Sequence, residues 1–173
     1  PVADDLTFDT SEDIPIEILL SGFDIDGDPL TFSVVTDATY GTLSGSAPNL
    51  IYSPDENYNG IDSFTFKVND GETDSETQGT VSITVNAVND PPVAYDESIT
   101  LSEDGSASII LTGTDVDTDD DSLSIVIVDS TSHGTLTYIR VLAEFTYTPD
   151  NNYYGEDSLT YYIFDGQDTS DVA

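Results

Sequence analysis

Cysteine, methionine and tryptophan are absent from this 173-residue chain, and its only cationic side chains are Lys67 and Arg140. Without cysteine there is no disulfide, no thiolate metal site and no thiol nucleophile. Two cations cannot displace the counterions of a nucleic acid, and an anionic membrane surface repels so acidic a chain, which excludes both as direct partners. No apolar run approaches the ~18 residues that a membrane-spanning helix needs. Because the chain opens at Pro1 and holds no methionine, it is expected to be a segment of a longer polypeptide.

What is there is acid. Thirty-five Asp and Glu residues give a formal net charge of -33. Such an imbalance often marks disorder, yet 37% of the residues are hydrophobic and 10% aromatic, set in short regular runs, and that is a folding composition. Self-repulsion at this density destabilises a compact state unless a cation is bound, and a divalent metal is the simplest counter-charge.

The chain repeats itself. Pro1-Val2-Ala3 recurs at Pro92-Val93-Ala94 and Ser11-Glu12-Asp13 at Ser102-Glu103-Asp104, both at an offset of 91. Gly41-Thr42-Leu43 returns at Gly134-Thr135-Leu136, offset 93, and Tyr52-Ser53-Pro54-Asp55 as Tyr147-Thr148-Pro149-Asp150, offset 95. A period of about 90 residues is too long for a solenoid and suits a self-contained domain. Two tandem domains are expected, 1–88 and 89–173, joined near Ala87–Pro92, where two prolines restrict the joint.

Within each unit the period is two. Leu30, Phe32 and Val34 alternate with Thr31, Ser33 and Val35; Phe64, Phe66 and Val68 with Ser63, Thr65 and Lys67; Val81, Ile83 and Val85 with Ser82 and Thr84. Further strands are expected at 5–9, 15–20, 41–44 and 49–53, with turns at Asp24–Pro29 and Asn57–Gly60. About seven short strands per unit with no helix period predict an all-β chain of two immunoglobulin-like sandwiches. Unit 1 closes with 79–86, whereas unit 2 reaches Ala173 about where the matching strand begins. The second sandwich is therefore expected to lack its last strand and to expose the edge at 157–164, either because the segment was cut there or because later sequence supplies the strand.

The carboxylates cluster. Asp24, Asp26 and Asp28 stand in Asp-Ile-Asp-Gly-Asp, and unit 2 answers with Asp115, Asp117, Asp119, Asp120 and Asp121. Alternate spacing across a glycine turn lets several oxygens converge, as the roughly six to eight oxygen ligands of Ca²⁺ require. Solvated turn carboxylates are the alternative, but the same loop is acidic in both units and the net charge has no other counterpart. Zinc is disfavoured, since His133 is the sole imidazole and no thiolate exists. Magnesium is poorly selected by a cluster this rich in ligands. Calcium is the expected cofactor.

The order Glu12, Asp24-x-Asp26, Pro54-Asp55-Glu56 and Asn89-Asp90-Pro91-Pro92 resembles a cadherin repeat. More closely, Tyr-x-Pro-Asp-x-x-Tyr-x-Gly-x-Asp-Ser at 52–63 and 147–158, with Asp-Gly at 70–71 and 165–166, resembles the cadherin-like tandem repeats of large bacterial surface proteins, the RTX-type adhesins among them. The resemblance spans almost the whole chain and implies two tandem immunoglobulin/cadherin-like β-sandwich domains with calcium stiffening the joint. By that scheme unit 1 supplies Glu12, with Asp13 beside it, Asp55 or Glu56, and Asp62; the linker supplies Asn89 and Asp90; unit 2 supplies Asp115 and Asp117. The linker departs from the cadherin pattern, with Asn86, Ala87 and Pro91 where another Asp and Asn are expected, which implies fewer ions. Asp24 and Asp26 on one side, and Glu103, Asp104 and Asp150 on the other, would be weak half-sites. The other placement puts one ion inside each Asp-x-Asp loop, and the sequence is compatible with both.

These readings lead to an extracellular spacer on a bacterial cell surface, monomeric, with neighbouring repeats of the same polypeptide as its partners. Its carboxylates lie in polar turns, where metal or water keeps them ionised, so they lack the raised pKa of a catalytic acid and no enzyme is expected. His133 matches Tyr40 of unit 1 and is read as a turn position. The alternative is a lectin-like module. By alternation Val126, Val128, Tyr162 and Phe164 face outward in unit 2, where unit 1 has Ser33, Val35, Lys67 and Asn69, and such a patch suits a glycan or protein ligand, a neighbouring domain or a covering segment. Tyr153-Tyr154 is a second, weaker aromatic site.

Overall fold

The computed structural model describes residues 1–139 and 144–173, in two compact units, Pro1–Val88 and Asn89–Ala173. Unit 1 runs β1 (Val2–Ala3), β2 (Leu6–Ser11), β3 (Ile16–Leu19), β4 (Gly22–Phe23), β5 (Thr31–Thr36), β6 (Gly41–Ser46), β7 (Asn49–Pro54), β8 (Gly60–Asn69) and β9 (Gly79–Asn86). One sheet has the order β2-β9-β8-β5 and the other β3-β7-β6, with β1 and β4 forming a short ribbon. All pairings are antiparallel except β2 with β9, which is parallel from Leu6↔Val81 to Ser11↔Asn86.

The period of two decides which side chains meet. Along β8, Asp62, Phe64, Phe66 and Val68 are buried, and along β9 Val81, Ile83 and Val85 are, while the residues between them lie at least partly in solvent. These face Ile18, Leu50 and Tyr52 of the opposite sheet, forming the two-layer core of a β-sandwich. Each fully buried side chain of this size contributes about 1.5–3 kcal/mol relative to exposure.

Unit 2 repeats the plan in part, with β10 (Val93–Ala94), β11 (Ala107–Ile110), β12 (Gly113–Thr114), β13 (Ser124–Asp129), β14 (Gly134–Ile139), β15 (Glu144–Pro149), β16 (Thr160–Phe164) and a 3₁₀ turn at Asp120–Ser122. The sheets are β11-β15-β14, β13-β16 and β10-β12. Its core gathers Leu111, Phe145, Tyr161 and Ile163. Arg140 and the side chain of Asp121 lie outside the described residues.

In unit 2 the described residues reach only the position at which β9 begins in unit 1. Ala173 stands where Gly79 stands in unit 1, and its N–H and C=O exchange hydrogen bonds with Tyr161 at 2.9 and 3.0 Å. Residues 97–102, the counterparts of β2, and 156–159, the counterparts of the first half of β8, join no ladder. The open edge differs from the expected 157–164. Ile163 bonds Ser170 through both N–H and C=O, and Phe164 bridges Thr169, so the returning chain covers that half and the open stretch ends before Tyr161. Leu159 is half-buried, whereas its counterpart Phe64 is fully buried.

Candidate cation-binding carboxylates

The acidic loops are closed by their own carboxylates. Asp24 Oδ1 accepts the Asp26 N–H at 2.9 Å. The Asp26 N–H holds Asp24 below the ordinary carboxyl value. Asp26 and Asp28 are exposed. In unit 2, Asp115 Oδ1 accepts from the N–H groups of Asp117 and Thr118 at 2.8 and 2.6 Å, and Asp117 Oδ2 accepts from the Asp90 N–H at 2.7 Å. Asp115 Oδ2 is buried and, among the described residues, has no hydrogen-bond donor.

Asn89 extends this group. Its Nδ2 donates to Asp165 Oδ2 at 2.8 Å and Asp168 Oδ2 at 3.1 Å, and Asp165 is held below the ordinary value first by Asn89 and then by the Gln167 N–H. Asn89, Asp90, Asp115 and Asp117 thus come together with Asp165 and Asp168, two residues the sequence reading did not assign. Their signal was the Asp-Gly at 165–166, matched by Asp70-Gly71, whose carboxylate closes an equivalent turn by accepting from the N–H groups of Glu72 and Thr73.

In unit 1, Glu12 ends just past β2 and is 3% exposed. Its Oε1 accepts the Val88 N–H, while Oε2 is buried with no donor among the described residues. Asp13 has a left-handed backbone (φ 59°), and its Oδ1 accepts the Asn57 N–H at 3.1 Å, pinning the Glu12–Asp13 turn to the turn that carries Asp55 and Glu56, both exposed. Unit 2 repeats the pin with Asp104 (φ 60°) and the Asn152 N–H at 2.9 Å. Among the described residues no three acidic or imidazole side chains converge closely enough to hold a metal ion on their own.

Asp62 sits within a hydrogen-bonded cluster of its own. Its Oδ1 accepts from the N–H groups of Thr39 and Ser63 at 2.9 and 2.8 Å, and its Oδ2 from the Tyr40 N–H and the Tyr52 hydroxyl, both at 2.9 Å. Burial opposes its ionisation, but the three N–H groups and the hydroxyl outweigh it, and the carboxyl ends below its ordinary value. With four protein donors it serves as a clamp between the sheets. Asp157 repeats the arrangement with the N–H groups of Ser132, His133 and Ser158 and the Tyr147 hydroxyl, at 2.8–3.0 Å. Burial, then Asp157, pushes Tyr147 up to about 12. The His133 ring stacks on Tyr153 at 4.3 Å as Tyr40 stacks on Tyr58 at 4.4 Å.

On the outer face of unit 2, Val126 pairs with Tyr162 across β13 and β16, where unit 1 pairs Ser33 with Lys67. Val126, Tyr162 and Phe164 are half-buried and Val128 is 50% exposed, while Tyr161 and Ile163 point into the core. Tyr154 is 87% exposed.

Two sandwiches of immunoglobulin and cadherin type, each carrying the same carboxylate clamp, define the class. The chain belongs to the bacterial Ig domain family, which matches residues 1–84 and 89–173. Human protocadherin-24 EC1-2 shares the fold: one crystal form gives a TM-score of 0.58 at 16% identity, covering 94% of this chain and 87% of that one, and another gives 0.53 at 14%, covering 99% and 94%. Integrin beta-like protein C of Dictyostelium discoideum is 28% identical over 158 residues, 80% of this chain and 8% of that protein's length. Among the described residues no helix is long and apolar enough to cross a membrane.

Proposed function

We propose that this chain is a calcium-binding extender segment of a bacterial cell-surface adhesin of RTX type, working outside the cell, with calcium stiffening the connection between successive repeats. The observation that carries this reading is Glu12, a carboxylate 3% exposed with one oxygen given no protein donor, in a protein of net charge -33. A buried charge left half-satisfied is costly, and a cation that completes it removes the penalty. Asp115 Oδ2 repeats the condition in unit 2. All the available donors are oxygens, which suits Ca²⁺ and neither zinc nor a soft metal.

Glu12 with Asp13, Asp55 and Glu56 in unit 1, and Asn89, Asp90, Asp115 and Asp117 with Asp165 in unit 2, are the residues that would hold it; Asp24, Asp26 and Asp28 would form an outer, weaker site. Bound calcium supplies positive charge and several coordination bonds, and no preformed three-carboxylate cage awaits it, so binding orders its ligands as it occurs. Affinity in the range of about 10⁻⁴ to 10⁻³ M, usual for extracellular modules, suits a segment outside the cell. The carboxyls whose values are displaced are displaced downward, the wrong direction for a general acid, and the chain acts as a monomeric spacer with no catalytic step.

Small-angle scattering and thermal melts with and without millimolar calcium test the proposal. A longer, less variable particle with a higher melting temperature is expected. A rise in melting temperature at unchanged shape would place calcium inside single domains and remove the stiffening role, and no response to calcium would overturn the reading. A second reading, a glycan- or protein-binding face at Val126, Val128, Tyr162 and Phe164, is supported by the Val126–Tyr162 pair that replaces Ser33–Lys67. It requires that Tyr162→Ala abolish ligand capture on a glycan array while leaving the calcium response intact.

A further inference from the structure

Cysteine, methionine and tryptophan are the side chains that, with tyrosine, give way most readily to an oxidant; this chain has none of those three and ten tyrosines. Oxidation of its surface therefore falls on phenol rings. Among the described residues one ring contact joins two of them: Tyr40 lies on Tyr58 with centroids 4.4 Å apart and planes 6° from parallel. The backbone holds both rings in place. Tyr40 stands just before β6, where its N–H donates to Asp62 Oδ2 at 2.9 Å and its C=O accepts the Asp55 N–H at 2.9 Å. Tyr58 lies in the turn between β7 and β8, where its N–H donates to the Asp55 C=O at 3.1 Å and its hydroxyl to the Ile61 C=O at 2.8 Å. The backbone of Asp55 thus grips both residues. Tyr40 is 47% exposed, so a small oxidant reaches the stack. In unit 2 the same place holds His133 on Tyr153, a stack with a single phenol.

We propose that Tyr40 and Tyr58 form an oxidative cross-linking site, at which a one-electron oxidant of the peroxidase type, driven by hydrogen peroxide, joins the two rings as dityrosine. Each phenol gives one electron to the oxidant and its hydroxyl proton to water. The two phenoxyl radicals then pair, forming one bond between ring carbons ortho to the oxygens. The hydrogens on those carbons pass to the oxygens and restore both hydroxyls. The net loss is two electrons and two protons, which reduce one hydrogen peroxide to two waters. Parallel stacking brings ortho carbons of the two rings together without turning either ring away, and holding them so raises their effective concentration far above that of separate chains. At a net charge of -33 two chains repel each other, which suppresses coupling between molecules at low salt. The new bond ties the chain entering β6 to the turn leaving β7, closing a loop around the β6–β7 hairpin in a chain without cysteine, and it restricts the unfolded state as a disulfide does. Calcium takes no part in it.

The test is photo-oxidation of the chain by a ruthenium tris-bipyridyl complex with persulfate, a small reagent for the same one-electron step, in calcium-free buffer of low salt. Dityrosine fluorescence, sedimentation and mass mapping of peptides cut after Asp and Glu are the readouts. The expected product is a monomer lighter by two hydrogens, with the peptide of Tyr40 joined to that of Tyr58, formed at least about tenfold faster in the folded chain than in urea. Tyr40→His, which copies the pair of unit 2, should remove the link. His133→Tyr, which copies the pair of unit 1, should add a second link between position 133 and Tyr153, and this gain keeps the test decisive should Tyr40→His unfold unit 1. The proposal is overturned if the fluorescence comes only from dimers linked through the exposed Tyr95, Tyr138 or Tyr154, if urea leaves the rate of the Tyr40–Tyr58 link unchanged, or if His133→Tyr gains no link.

Discussion

Replacing Asp62 by Asn isolates what the inter-sheet clamp contributes. The substitution keeps the shape of the side chain but turns one accepting oxygen into an NH₂ group, which must then face either the Thr39 and Ser63 N–H groups, or the Tyr40 N–H and the Tyr52 hydroxyl, of which the hydroxyl alone can turn to accept. Hydrogen bonds to a charged acceptor contribute about 1.5–3 kcal/mol each, so losing at least one and reducing the others to neutral strength predicts about 3–4 kcal/mol after the unit relaxes. In a domain of this size that lowers the melting temperature of unit 1 by about 15–25 °C. The loss should depend on pH in a definite direction. Because the folded carboxyl titrates below its ordinary value of 3.8, its contribution is present above that value and is lost as pH falls through the lower folded value. Circular-dichroism melts of both proteins from pH 7 down to about pH 3 measure the difference. The gap should be full at neutral pH and narrow once Asp62 itself becomes protonated. A gap that is equally wide across the range, or less than about 1 kcal/mol at pH 7, would refute the charged-clamp account.

Three further outcomes are expected. Gly41→Ala places a methyl 2.5 Å from the Tyr52 ring and 2.7 Å from the Ser53 carbonyl; the backbone oxygen cannot swing away, so urea titration should show unit 1 weakened by about 2–3 kcal/mol, and Gly134→Ala should do the same to unit 2 against Tyr147. Glu12→Gln removes a half-satisfied buried charge, so without calcium the melting temperature should hold or rise, while isothermal titration should show calcium affinity at least about tenfold weaker; unchanged affinity would remove Glu12 from the ligand set. Tyr147 holds its proton up to about 12, so its stabilising effect is complete below the ordinary value of 10 and is lost as pH rises through the folded one. Spectrophotometric titration of Tyr147→Phe should lose part of the final phenolate step, and loss of an earlier step would contradict the assignment.

The sandwich was readable because burial acts on single residues at a fixed period. The alternation of Phe64, Phe66 and Val68 and of Val81, Ile83 and Val85 appears unchanged as buried positions in β8 and β9. Strand ends were less readable: 41–44 and 49–53 extend to Gly41–Ser46 and Asn49–Pro54, because the hairpin ladder continues until its turn, whatever the side chains. The parallel pairing of β2 with β9 joins residues some 75 positions apart, and no local pattern encodes it. The clamp at Asp62 was not legible because a carboxylate looks the same in sequence whether it meets a cation or four N–H and O–H donors. The distinguishing sign was a tyrosine ten residues earlier in both repeats, Tyr52 before Asp62 and Tyr147 before Asp157. Asp165 and Asp168 escaped notice because what unites them with Asn89 is a fold of the chain across more than 70 residues.

The parallel pairing of the first and last long strands of unit 1 governs how that unit bears load. Tension enters at the Leu6 end of β2 and leaves at the Asn86 end of β9, so the two strands are drawn in opposite directions along their length. Every rung from Leu6↔Val81 to Ser11↔Asn86 is then strained together in shear, and none can be peeled ahead of the others. An antiparallel pair pulled from adjacent ends would instead unzip one rung at a time under far smaller force. Yield in unit 1 is therefore abrupt, at a threshold set by the whole ladder.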